Sequence, residues 1–177
     1  MRRLLDGLFE WTGRIAALFV LAIFVLMITA SIGRWAGWRV GGFNDIVAWC
    51  CAAASFFAMS HAFKHGDFVR VTLLLEKMNE RTRRTFEVVS LIIAALAVGY
   101  LAWWAAKFTW ESWEFKEMAG GMVVIPIWIP QTSFVIGSAL LLLAVLDELY
   151  IVLSGGKPTY VRMVEERHAR GDYSEDL

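Results

Sequence analysis

Four runs of this chain contain no Asp, Glu, Lys or Arg: 15–33, 46–63, 88–106 and 126–146. Each is close to the length a helix needs, at about 1.5 Å per residue, to cross roughly 30 Å of hydrocarbon. A segment in lipid must satisfy its own backbone N–H and C=O groups, and a helix does so within itself. The expected fold is therefore an all-α membrane protein with four transmembrane helices, supplemented by interfacial amphipathic helices. The composition agrees, because 58% hydrophobic against 19% charged residues would leave a soluble domain with large apolar patches in water. Lys plus Arg equals Asp plus Glu at 17 each, so no global charge points to nucleic acid or an anionic ligand.

Read in order, residues 1–14 place Leu5, Leu8, Phe9 and Thr12 on one helical face, which predicts a short N-terminal interfacial helix. The membrane domain is expected over 15–153, followed by a tail at 154–177. The first run exceeds the apolar core of a cleaved signal peptide, about 7 to 15 residues, and is expected to be retained. The short link after it, with Trp35 and Trp38, forces the second span to return antiparallel. That second span is rich in small residues, among them Ala54, Ala58 and Ala62. Small side chains let helix backbones approach in lipid, so this face is a packing surface, within the chain or against another. The third span carries the same signal at Ala95 and Gly99.

Beyond Gly66 the pattern turns amphipathic. Val71, Leu74, Leu75 and Met78 recur at helical spacing, with Arg70, Lys77, Arg81, Arg83 and Arg84 around them. An interfacial helix over about 69–84 is expected, with its basic residues facing anionic phospholipid headgroups. Of the Lys and Arg residues, 13 fall in the N-terminal segment, middle loop and tail, and four in the other two connections. The excess marks the cytoplasmic side, which places both termini there. Seven of the nine tryptophans then cluster toward the outer face, a belt wide enough to suggest a partner.

Little in the chain suggests catalysis, and no catalytic residue or cofactor is assigned. Cys50 and Cys51 are adjacent within an apolar run and read as packing residues. His61 and His65 could share a helix face, but a zinc site needs more ligands, and a bis-histidine haem wants them on different spans. Interfacial hydrogen bonding is the favoured account, and no metal site is assigned. With no ionisable residue inside a span except His61, coupled transport by this chain alone is disfavoured. Asp45 has two readings: a carboxylate favoured at a helix N-terminus, with Asn44 as cap, or a charge offered to a partner. Glu111, Glu114 and Glu117 read as solvated, with docking of a soluble partner as the minority reading.

The layout resembles the small, DctQ-type membrane subunit of tripartite ATP-independent periplasmic (TRAP) transporters. The resemblance covers about residues 10 to 153 and rests on four spans, an acidic residue opening the second (Asp45), the exit Gly66-Asp67-Phe68-Val69-Arg70-Val71-Thr72, and the entry Pro126-Ile127-Trp128. Asp45 stands where glutamate is usual, Phe68 where histidine is expected and Thr72 where aspartate is expected. The resemblance implies a bacterial inner-membrane, multi-pass subunit of a sodium-coupled importer of organic anions. Its partners would be a large, DctM-type membrane subunit and a periplasmic substrate-binding protein. The expected partner interface comprises Asp45, Ala54, Ala58, Ala62, Ala95, Gly99, Pro126 and Trp128. The expected interfacial helix uses Arg70, Leu74, Leu75, Met78 and Arg81. The alternative is a membrane anchor subunit of a redox complex, holding quinone or haem.

Overall fold

The computed structural model describes residues 2–38, 41–65, 80–156, 159 and 161. It contains four long helices: α1 (Arg2–Trp35), α2 (Phe43–His65), α3 (Glu80–Glu114) and α4 (Trp128–Leu153). All four are long and apolar enough to cross a membrane. The positions Arg70, Leu74, Leu75 and Met78 lie outside the described residues. Residues 80–84 of that expected interfacial segment form the first turn of α3.

The helices run well beyond the uncharged spans. Residues 2–14 and the first span are covered by one helix, and α3 continues through Lys107 and Glu111 to Glu114. At 35 residues α3 is about 50 Å long, more than the hydrocarbon thickness, so its ends stand in headgroups or water. Charged pairs one turn apart hold these polar extensions helical: Glu10 with Arg14, Arg83 with Glu87 and Lys107 with Glu111.

Three helix ends share one hydrogen-bond pattern. At the end of α1, Trp38 N–H donates to Gly33 O and Gly37 N–H to Arg34 O; α4 repeats this with Gly156 to Ile151 and Gly155 to Val152. Gly37 and Gly155 sit at φ 75° and 83°, the left-handed conformation this cap requires. The end of α3 uses the same bonds, Glu117 to Ser112 and Lys116 to Trp113, but Lys116 holds the left-handed position at φ 51°. α4 starts differently, with Pro130 in its first turn where no N–H is needed.

Packing is sequential across an open row, α1 against α2, α2 against α4, and α4 against α3. Between α1 and α2, Ala16, Ala53 and Phe57 are buried, and the Phe19 and Phe57 rings lie nearly parallel with centroids 6.0 Å apart. Between α3 and α4, Leu91, Leu141, Val145 and Val152 form a second core, flanked by Ala95. α2 and α4 come into close contact at Gly137, where a Cβ would fall 2.5 Å from Phe56 Cβ. Phe56 then turns edge-on to Phe134 at 4.4 Å. Arg84, from the start of α3, donates to the carbonyls of Val152 and Leu153 at 3.1 and 3.3 Å. It thereby serves the Leu153 carbonyl and shares that of Val152 with the Gly155 N–H, placing a cation where that end's dipole favours one. Because the row does not close, α1 and α3 form its edges and expose long apolar stripes. Leu18 and Leu21 on α1 and Ile93, Leu96 and Tyr100 on α3 are all more than half exposed.

Candidate functional sites

At the end of the row that carries the N-terminus of α1, polar side chains are gathered in the interior. On α2 the buried positions are Ala53, Ala54, Phe57, Ser60 and Lys64, a stripe at helical spacing whose last member is a lysine. On α4 a similar stripe runs through Leu141, Ala144, Val145, Glu148 and Val152. Where the two stripes meet, Lys64 Nζ pairs with Asp147 and, at 2.7 Å, with Glu148 Oε1. Lys64 is 4% exposed and Glu148 0%. The second oxygen of Glu148 accepts the Thr159 N–H at 2.9 Å, which draws the chain after α4 back onto the cluster. The ammonium also lies 5.3 Å from the centroid of the Phe9 ring, so α1 closes the third side.

Lys64 and Asp147 each stand next to an uncharged run in the sequence, yet neither is a surface charge that merely ends a span. Both belong to the helical body. Buried charges of this kind persist because each is paired and hydrogen-bonded. One turn earlier, Thr12 and Ser60 share a hydrogen bond at 3.1 Å, and both are buried. Thr12 and Phe9 thus turn from the expected interfacial face onto α2, whereas Leu8 of that face stays exposed. His61 Nδ1 contacts Phe9 O and His65 Nδ1 contacts His61 O, both at 3.0 Å, and the two rings stack 3.9 Å apart. Since a carbonyl only accepts, Nδ1 is the protonated nitrogen in each ring. Gly13 makes room for this pair, because a Cβ there would fall 2.8 Å from the His61 ring.

The opposite end of the row is built around Asp45. Its Oδ2 accepts the Met122 N–H at 2.7 Å and the Val123 N–H at 3.2 Å. The carboxylate thus pins the α3–α4 connection to the first turn of α2, a third use beside the two expected from sequence. The approach is close enough to exclude side chains: a Cβ on Gly121 would overlap the Asp45 carboxylate, and one on Gly42 would overlap Val123. Gly42 is in addition left-handed at φ 85°. The pinned connection is a tight hairpin, with Ala119 N–H bonded to Ile125 O, Ile127 N–H to Glu117 O, and a bridge between Met118 and Pro126. The three glutamates of this region differ. Glu117 accepts a hydrogen bond from Ser112 at 2.9 Å, Glu111 pairs with Lys107 at 3.7 Å, and Glu114 forms no ion pair among the described residues.

The remaining expected interface residues divide between the two cores and the outer groove. Ala54 is buried and Ala58 packs on the α1–α2 core. Ala95 packs on the α3–α4 core, and Gly99 lies opposite Leu142. Ala62 is half-buried, as are Pro126 and Trp128, which line a groove between the end of α3 and the start of α4. The small residues that sequence reasoning assigned to a partner thus largely serve contacts inside the chain.

Comparison with curated proteins gave no match. A family model described as Tripartite ATP-independent periplasmic transporters, DctQ component, matches residues 23–155. That stretch holds three complete helices, the C-terminal part of α1, the Asp45 clasp and the Lys64, Asp147 and Glu148 side chains. The chain therefore belongs to the DctQ family, the small membrane subunit of tripartite ATP-independent periplasmic transporters.

Proposed function

We propose that this subunit braces the static part of a large, DctM-type membrane subunit in a bacterial inner membrane and helps dock a periplasmic substrate-binding protein. The observation that carries the reading is the open row. Its internal contacts use the small residues and the buried charges, which leaves the apolar stripes of α1 and α3 free for a partner. The charged groups of the interior are closed on one another, so they support a rigid body rather than a pathway. Transport itself, sodium-coupled and of an organic anion, is assigned to the large subunit. With both termini cytoplasmic, the Asp45 clasp, Pro126 and Trp128 face the periplasm, where a rigid hairpin suits a docking platform.

Reconstitution tests the reading. Proteoliposomes holding this chain alone should show no uptake. Adding the large subunit, the binding protein and an inward sodium gradient should give uptake of an organic anion, and omitting this chain should abolish it. Full uptake without this chain would overturn the proposal.

A further inference from the structure

The groove between the end of α3 and the start of α4 has two compartments that share Trp113 and Trp128. The one nearer the helix bodies, about 360 Å³, is lined by Ala106, Thr132, Val135 and Ile136 and by further tryptophan surface, and is almost wholly apolar. The outer one, about 480 Å³, is lined by Glu114, Lys116, Met118 and Pro126. An apolar slot opening through tryptophans onto charged groups has the polarity profile of a phospholipid at the membrane interface.

Two further features point to a ligand. Lys116 occupies a left-handed cap position that glycine fills at the ends of α1 and α4. The backbone would be served better by glycine there, so the lysine side chain comes at a conformational cost. Neither Lys116 nor Glu114 has an ion-pair partner among the described residues.

We propose that this groove binds one phospholipid with a primary-amine headgroup, of the phosphatidylethanolamine type. An acyl chain lies along the apolar compartment between the tryptophans and Ile136. Lys116 holds the phosphate, and Glu114 accepts hydrogen bonds from the ammonium. The charge order selects the lipid: Glu114 repels an anionic headgroup, and a quaternary ammonium has no N–H to give it. The site depends on the chain's membrane setting and not on the bracing role proposed above.

The test uses the full chain purified with its large membrane subunit and exchanged into nanodiscs of phosphatidylethanolamine, phosphatidylcholine or phosphatidylglycerol. Lipid retained after transfer to detergent is counted by native mass spectrometry. Phosphatidylethanolamine should be retained at least about fivefold over either of the others, the order of one hydrogen bond from its ammonium to the Glu114 carboxylate. Lys116→Gly, which suits the backbone, should lower retention about fivefold, and Thr132→Trp, which fills the slot, should abolish it. Equal retention of the three lipids, or retention unchanged in both variants, would overturn the proposal. So would a groove filled by a side chain of the large subunit with no lipid bound.

Discussion

Replacing Lys64 by methionine removes the one cation that, among the described residues, pairs with Asp147 and Glu148. Methionine preserves most of the side-chain volume, so the cavity contribution is small and the loss is electrostatic. The ammonium is almost wholly buried and bonded to both carboxylates, and Glu148 has no exposed surface through which water could replace it. Breaking a buried pair from one side costs about 3–5 kcal/mol, because the remaining charge is stranded. Glu148→Gln is milder, since Lys64 keeps Asp147 and the amide oxygen can still accept the Thr159 N–H; about 1.5–3 kcal/mol is expected for one weakened charged hydrogen bond. A combined Lys64→Met, Asp147→Asn, Glu148→Gln variant removes all three charges and should recover part of the Lys64→Met loss. Unfolding in mixed micelles, followed through tryptophan fluorescence, gives the order. Equal effects of the two single variants, or a triple variant less stable than Lys64→Met, would refute the reasoning that a stranded charge dominates.

Other positions give further expectations. Gly137→Leu should force α2 and α4 apart at Phe56 and cost about 1–3 kcal/mol by overpacking, measurable in the same unfolding assay. Asp45→Ala should release the α3–α4 hairpin and cost about 1.5–3 kcal/mol; amide hydrogen exchange at Met122 and Val123 should quicken while that of α1 stays unchanged. Lys116→Gly should stabilise the end of α3 by about 1 kcal/mol, because the left-handed cap no longer carries a Cβ. A midpoint shift downward in that variant would contradict the cap assignment.

The spans were legible because charge is excluded from lipid, so their number and approximate limits follow from four gaps in the charge pattern. The full helices were not, because Lys107 and Glu111 mark the end of an apolar run without ending a helix. A helix needs continuous backbone bonding and compatible side chains, and an ion pair one turn apart supplies these as well as an apolar face does. The order of helices in the row was also hidden. Small residues recur in α2 and α3, and nothing local distinguishes Ala95, which packs on α4, from a residue facing a partner. Gly137, alone among larger side chains in α4, was the signal for the α2–α4 crossing.

The Lys64 cluster eluded the sequence reading because its members are 83 and 84 residues apart and each looks like a boundary charge. Their helical phase was the usable clue. Lys64 continues the face of Ala53, Phe57 and Ser60, and Glu148 continues that of Leu141 and Val145. Asp45 was recognised as significant at the start of α2, but its partners lie 77 and 78 residues away in a loop whose conformation only the fold defines. Family membership was the most legible feature of all, since it rests on the whole layout of spans and connections rather than on one contact.

The central claim is that one face of the open row lies against the large membrane subunit. Leu18 and Val20, both more than half exposed, are two residues apart on α1 and so point about 200° from each other. Placing a photoreactive amino acid at each position in turn, in cells that also make the large subunit, reads the two directions separately. An adduct with the large subunit from one position and not the other is the predicted result. Adducts from neither, or in equal yield from both, would contradict a one-faced interface on this helix.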